Sequence, residues 1–343
     1  MGKTNAYTAA KRDGRILLNA NESSLNLSAQ LLQKAADIVT KISYNRYPDP
    51  AETELLSAFG KKMGISEDCL LAGNGSDQML GYLITTYLGK GKTLLTLNPD
   101  FSMYQYYASS IDAKTVGYRQ DEGGGVKIDD LIAFGKKENA DMILFSNPNN
   151  PTGSLIPRTD IEKLVQNFKD IPVVIDEAYM DFADNESVLP LIDQYDNLFV
   201  TRTLSKAYGL AAMRVGFLVG NADRMSALKA DFVPYAMNSL SMAIAAALIP
   251  EIDVAGFVKD IRIQRQWLYQ RLSGCKRLKV WPSQANFIYG KAEDLDGLLA
   301  CLQAEGIVIR TYNGTSYFRI SIGTQEENQL VWKAIASYEG EKS

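Results

Sequence analysis

From Cys69 onward the chain repeats one arrangement: a short run of apolar residues, a turn carrying glycine or proline, then a helical stretch. The apolar runs are Leu70–Ala72, Thr93–Leu97, Met142–Phe145, Val173–Ile175 and Leu198–Val200, and helical segments such as Arg158–Phe168 separate them. Runs that are apolar at every position are buried on both faces, and strands that alternate with helices lie parallel. The predicted fold class is therefore α/β, with a mostly parallel central sheet flanked by helices. Ligands of such sheets collect beyond the carboxyl ends of the strands, so the turns that follow these runs are where chemistry is expected.

The flanks read differently. Residues Ile16–Ala20 are extended, and Ser28 caps a helix that places Leu31, Ala35, Ile38, Val39 and Ile42 on one face. The prolines of Tyr44-Asn-Arg-Tyr-Pro-Asp-Pro50 make a stiff turn, and a second amphipathic helix runs to Gly64. Beyond Gly220 come a long helix over Val254–Leu272, apolar runs at Asn286–Tyr289, Ile307–Arg310 and Tyr317–Ile320, a helix through Leu298 and a closing helix. We expect a large domain over 45–240 and a smaller α+β domain over 241–343, joined by the N-terminal segment 1–44. Gly123-Gly-Gly125 reads as a loop.

Composition narrows the chemistry. The 343 residues are 46% hydrophobic and 22% charged, enough apolar content for one large core and a smaller one. A net charge of −4 without a broad basic block argues against nucleic acid, and no apolar run approaches membrane-spanning length. The first residues lack an apolar signal core. The three cysteines, Cys69, Cys275 and Cys301, are scattered and not in a metal spacing, which suits a reducing cytoplasm and no metal site. The chain has no histidine. That excludes Ser-His-Asp and Cys-His catalysis, leaving Lys, Tyr, Asp, Glu or Cys to move protons.

The turns after the strands carry suitable groups. Lys206 lies in Thr201-Arg-Thr-Leu-Ser-Lys-Ala-Tyr-Gly-Leu-Ala-Ala-Met-Arg214, on the loop leaving a buried strand. Desolvation there lowers an amine's pKa and makes it a nucleophile toward an aldehyde, whereas a solvated lysine would be idle. Thr203, Ser205 and Arg214 supply hydroxyls and a fixed cation for a phosphate, and pyridoxal phosphate combines both groups. Gly73-Asn-Gly-Ser-Asp77 opens a helix whose N–H groups can receive a phosphate, or is glycine-rich for turn geometry alone. Phe101, after Asn98-Pro-Asp, either stacks on a flat ring or packs in the core, and Tyr104 is open to both readings. The rigid loop Ser146-Asn-Pro-Asn-Asn-Pro-Thr-Gly153 displays Asn150 toward a ring oxygen. Asp176 ends an apolar strand, where a buried carboxylate needs a cation such as a protonated pyridine nitrogen, unless it caps a following helix. Tyr179 stands within reach of the ring oxygen.

In this order, Gly-Asn-Gly-Ser-Asp77, Asn-Pro-Asn-Asn-Pro-Thr-Gly153, Asp-Glu-Ala-Tyr179 and Thr-Leu-Ser-Lys206-Ala-Tyr-Gly resemble a class I/II aminotransferase of pyridoxal-phosphate fold type I. Leu-Asn-Ala-Asn-Glu22, Arg-Tyr-Pro48 and Phe-Arg-Ile-Ser321 are more narrowly similar to the histidinol-phosphate aminotransferases, from about Leu17 to about Glu327. The resemblance implies that Lys206 holds the cofactor and shuttles the substrate proton. It implies that Gly75, Ser76, Asp77, Thr203, Ser205 and Arg214 hold the cofactor phosphate. Phe101 would stack on the ring, Asn150 and Tyr179 would bond its O3′, and Asp176 its N1. Tyr47 would reach the neighbouring subunit's cofactor, making the protein a homodimer. Arg319, Arg310 and Asn21 would bind substrate. The implied reaction is amino-group exchange between glutamate/2-oxoglutarate and histidinol phosphate, with an aromatic amino acid, or decarboxylation of a phosphorylated amino acid, as alternatives. The sequence departs from the family in its short stretch before Leu17, where Tyr7 lies, and in Ser23-Ser24, which replaces Asn-Pro.

Overall fold

The computed structural model describes residues 14–184 and 186–340; Tyr7 lies outside them. Strand β1 (Ile16–Leu18) leads to helix α1 (Ala29–Val39), which starts at Ser28, whose hydroxyl accepts the Leu31 N–H at 3.3 Å. Helix α2 (Thr53–Met63) ends on Gly64 in the left-handed conformation that stops a helix without steric penalty. Strand and helix then alternate through β2 (Leu70–Asn74), α3 (Ser76–Tyr87), β3 (Thr93–Asn98), α4 (Met103–Ser110), β4 (Lys114–Arg119), α5 (Ile128–Lys137), β5 (Met142–Ser146), α6 (Arg158–Asn167) and β6 (Val173–Asp176). β7 (Leu198–Thr203) and β8 (Val215–Gly220) follow.

These seven strands form one sheet in the order β2-β8-β7-β6-β5-β3-β4. All neighbours are parallel except β8, which runs antiparallel to both β2 and β7. Alternate residues feed two cores. Ile143, Ile175 and Val200 point into one, and Leu144, Val174 and Phe199 into the other. Each fully buried aliphatic side chain contributes about 1.5–3 kcal/mol, and a one-residue slip would exchange the two faces, so the register is strongly specified. β4 and β8 are absent from the apolar-run reading. β4 is an edge strand with Val116 as its buried residue, and β8 is buried throughout but interrupted by Gly216.

After β8 come α7 (Ala222–Asp231), α8 (Ser239–Leu248) and the long α9 (Val254–Leu272). The remaining elements are β9 (Leu278–Val280), β10 (Phe287–Ala292), α10 (Leu295–Ala304), β11 (Ile307–Thr311), β12 (Tyr317–Ser321) and α11 (Gln325–Glu339). They build a second, five-stranded sheet, β1-β11-β12-β10-β9, in which β1 pairs parallel with β11. Met242, Ile244, Ala245 and Leu248 of α8 pack with the seven-stranded sheet, and Leu31, Ala35 and Ile38 of α1 join them there. Of the N-terminal segment, β1 is the element paired into the second sheet. Among the described residues no helix is long and apolar enough to cross a membrane, and no group of acidic or cysteine side chains could hold a metal ion.

Candidate active site

Five strand ends and the segment after β1 converge on one place. The β2–α3 turn supplies its anion-binding pole. Gly75 occupies the N-cap position of α3 with φ 79° and has no side chain to cap the helix, so first-turn N–H groups point outward without a capping partner. Such a terminus attracts anions through its N–H groups and the positive end of the helix dipole. Arg214, itself left-handed at φ 53°, lies over the turn, its Nη1 donating to Ser205 Oγ at 3.3 Å and its Nη2 3.6 Å from Asp77 Oδ2. Thr203 Oγ1 accepts the Ser205 N–H at 3.1 Å and sets the start of the Lys206 loop. Gly216 of β8 keeps the cradle open: a Cβ there would stand 2.1 Å from the Ser76 nitrogen.

The opposite pole is acidic. Asp176, at the end of β6, is buried, with its Oδ2 accepting from the Tyr104 hydroxyl at 2.8 Å and its Oδ1 from Thr201 Oγ1 at 2.9 Å. Burial lifts its carboxyl to about 6, against the pull of those two hydroxyls. No cation is paired with it among the described residues, so it is an ionisable group awaiting a positive partner. It does not cap a helix; the next helical turn begins at Met180 with Tyr179 in the cap position. Behind it Asp100 is lifted by burial to about 8 while accepting from the Ser146 hydroxyl and the Phe101 N–H. The same Ser146 oxygen accepts the Asn150 N–H at 2.9 Å, so this acid braces the Asn150 loop.

Between the poles stands Lys206. Its Nζ donates to Ala20 O at 2.9 Å and lies 5.8 Å from the Tyr179 ring centre. Burial, helped by the positive charge of Arg319, lowers its pKa to about 8. The segment after β1 is stitched in on both sides. Asn21, buried and left-handed at φ 53°, donates from its side chain to Tyr179 Oη at 3.0 Å and accepts from Ser321 Oγ at 2.9 Å. Arg319, on β12, donates to Asn19 O at 2.8 Å and to Asn150 Oδ1, and its buried Nε has no hydrogen-bond partner.

The sequence-derived candidates thus fall into one cleft with few exceptions. Gly75, Ser76, Asp77, Thr203, Ser205 and Arg214 gather at the β2–α3 turn; Asp176 ends β6, and Tyr179 stands between Lys206 and Asn21; Arg319 meets Asn150 across the two sheets. Phe101 packs edge-on against Tyr104 at 5.5 Å. Arg310 sits opposite Arg319 in the β11–β12 register, its guanidinium 6.0 Å from the Tyr312 ring. Tyr47 stands apart at 82% exposure, stacked on Tyr235. Sequence reasoning left Tyr104 open and passed over Asp100 and Ala20. Tyr104 carried a signal, because a tyrosine on the first turn of the helix after β3 lies at the carboxyl edge of the sheet, where it meets Asp176 at the end of β6; a backbone carbonyl such as that of Ala20 carries none.

Pyridoxal phosphate fits this set on three observations: an uncapped helix terminus beside a fixed guanidinium, a buried carboxylate without a cation, and a lysine with a depressed pKa between them. The comparisons agree. Residues 13–335 match the family model described as aminotransferase class I and II. The chain is 36% identical over 326 residues to a histidinol-phosphate aminotransferase of Clostridium novyi (strain NT), covering 94% of this chain and 91% of the relative. The solved histidinol-phosphate aminotransferase from Sinorhizobium meliloti, in complex with pyridoxal-5′-phosphate, superposes with a TM-score of 0.86 at 23% identity over 95% of this chain and 91% of that one. L-threonine-O-3-phosphate decarboxylase from Porphyromonas gingivalis has the same fold, with a TM-score of 0.80 at 22% identity over 95% of this chain and 100% of that one. A lysine, an acid and an anion cradle set at the ends of a mostly parallel sheet, in a chain matched over nearly its whole length, make this protein a member of the pyridoxal-phosphate-dependent class I and II aminotransferases.

Proposed function

We propose that the chain is a cytoplasmic homodimeric aminotransferase that exchanges an amino group between glutamate/2-oxoglutarate and histidinol phosphate, whose keto partner is imidazole acetol phosphate. The observation that carries the reading is Arg319, a buried guanidinium with an unpartnered Nε at the cleft that holds Lys206. A buried cation of this kind selects an anionic group on the substrate. Arg310 beside it on the same face adds a second charge, which suits carboxylate-bearing and phosphate-bearing substrates in turn. The name of the Clostridium relative supports the phosphate ester as the second partner.

Gly75, Ser76, Asp77, Thr203, Ser205 and Arg214 would hold the cofactor phosphate, Asp77 through its backbone and its contact with Arg214. Asp176 would take a positive ring nitrogen, Asn150 and Tyr179 a ring oxygen, and Phe101 a ring face. Pyridoxal phosphate, when bound, supplies an electron sink for the Cα–H bond. Lys206, with its amine lowered toward neutrality, would take the proton from Cα and deliver it to the carbon that accepts the nitrogen. Asn21 would hold Tyr179 in place and border the substrate. Tyr47, exposed and stacked on the exposed Tyr235, is where a second copy would be met, its hydroxyl reaching that copy's cofactor phosphate. Cys69, Cys275 and Cys301 form no disulfide among the described residues, which suits a reducing compartment.

The test is a spectroscopic half-reaction with histidinol phosphate, glutamate and aromatic amino acids, on wild type and on R319A. Transamination of histidinol phosphate, with a KM raised about a hundredfold in R319A, is the result expected from losing a buried hydrogen-bonded charge contact. Release of carbon dioxide from a phosphorylated amino acid, with no keto acid formed, would replace the reading with a decarboxylase.

A further inference from the structure

The three-glycine loop after β4 has no part in the chemistry above, yet it is where the seven-stranded sheet reaches across to the five-stranded one. Asp121 shapes it, its carboxylate accepting the N–H groups of Gly123 at 2.9 Å and Gly125 at 2.7 Å. The loop is wedged on both sides. A Cβ at Gly123 would stand 2.7 Å from Trp281 Cδ1, and one at Gly124, where φ is +90°, would stand 2.3 Å from Thr152 Oγ1. Gly124 therefore backs onto the Asn150 loop, and Gly123 onto the small sheet.

At the tip is Glu122. Its carboxylate receives Lys279 Nζ at 2.5 Å, Lys291 Nζ at 3.2 Å and the Tyr317 hydroxyl at 3.1 Å. These three residues form one row across β9, β10 and β12, since Lys291 is paired in register with both Lys279 and Tyr317. Two lysines directly opposed in a strand pair repel. The carboxylate from the other sheet offsets that repulsion, and the lysines hold its pKa down at about 2, so it stays charged across the physiological range.

Two residues along on the same face lies the row that carries the substrate arginines. Tyr289 is paired with Arg319, and Arg319 with Arg310. The spacing between the rows is about 7 Å. Aromatic rings connect them: Tyr289 stacks on Tyr317 at 5.3 Å with 3° between planes, and on Trp281 at 5.5 Å.

We propose that Glu122 is a positioning residue: its ionic clasp on the Lys279–Lys291–Tyr317 row seats the five-stranded sheet against the Asn150 loop and so sets Arg319 and Arg310 at the distance an anionic substrate needs. This rests on the reading of those arginines as substrate ligands. Because the clasp is solvent-exposed, its effect is modest and screened by salt.

The experiment compares E122Q and G123A with wild type, all loaded with cofactor. Hydrogen exchange without substrate is read at the amides of residues 121–125 and at Trp281, whose N–H donates to Tyr289 O at 3.2 Å. Steady-state kinetics are read between about 50 mM and about 500 mM sodium chloride. Faster exchange in both variants is expected. So is a KM for the anionic substrate raised roughly two- to fivefold at low salt with kcat within about twofold, while the ratio of the E122Q KM to the wild-type KM falls toward one as salt rises. Exchange rates equal to wild type, or faster exchange with no change in KM, would overturn the proposal. The exchange measurement needs no turnover, so it decides the clasp even if the wild-type protein transaminates none of the substrates tried and the functional reading itself falls.

Discussion

The Nζ of Lys206 donates to the carbonyl oxygen of Ala20 at 2.9 Å, across a sequence separation of 186 residues. The amine is thus held at a backbone oxygen in a desolvated pocket, with the charge of Arg319 nearby. Both conditions favour the neutral form.

Capture of pyridoxal phosphate by cofactor-free protein needs the unprotonated amine, so its rate should rise with pH through a midpoint near 8, not near the ordinary lysine value of 10.5. In R319A the midpoint should move upward, because a cation that disfavours protonation is gone. K206A should show no covalent capture and no turnover. A midpoint unaffected by the loss of Arg319 would contradict this account of the shift.

Asp176 behaves differently in the empty protein. Its folded pKa, about 6, lies above the usual 3.8, so its contribution to stability is fully present below 3.8 and lost as pH rises through 6. D176N removes that loss. The cofactor-free variant should match wild type near pH 4 and exceed its stability at pH 7.5 by about 1–3 kcal/mol, while binding the cofactor far more weakly. Thermal or denaturant unfolding at the two pH values measures the gap, and equal stability at both would refute it.

A second buried acid has a purely architectural effect. Glu177 accepts from Arg202 Nη1 at 2.9 Å, Ser187 Oγ at 2.7 Å and the Val188 N–H at 2.7 Å, and Arg202 also reaches Asp181 at 2.5 Å. Arg202 and Glu177 are both buried. E177A leaves a guanidinium short of one counter-charge and should cost about 3 kcal/mol in denaturant unfolding, with the absorbance of bound cofactor unchanged.

G216A tests the cradle. A methyl group 2.1 Å from the Ser76 nitrogen forces the β2–α3 turn away from Arg214, and affinity for pyridoxal phosphate should fall at least tenfold, while free pyridoxal, which lacks the phosphate, should bind with little change. Titration of the cofactor-free variant with each compound separates these outcomes.

What the sequence made legible follows from how each feature is encoded. Helix α9 was readable at both ends because its 19 residues sustain a helical pattern, and Ser28 was readable as a cap because a hydroxyl before an apolar stripe has one local use. β4 was not, since Lys114–Arg119 is an edge strand whose hydrogen bonds to β3 leave little trace in side-chain polarity. β8 hid because Gly216, needed for the close approach of two backbones, interrupts its apolar run. In the cleft, Lys206 and Asp176 announced themselves through side-chain chemistry at strand ends. Asp100 did not, because its importance lies in what Ser146 does with the oxygen it holds. Helix α8 went unread for a related reason: an almost wholly apolar segment gives no hint of which sheet it covers.

The pairing of β1 with β11, and of Asn21 with Ser321 some 300 residues later, has a consequence for biosynthesis. The segment that anchors the reactive amine leaves the ribosome early, but its partners leave late. Between the emergence of β8 and that of β11 and β12 the central sheet can form while Lys206 lacks its ceiling, so competence is acquired as a closing event once those two strands have followed. A chain truncated before Ile307 should accumulate with a folded sheet and an unfinished pocket.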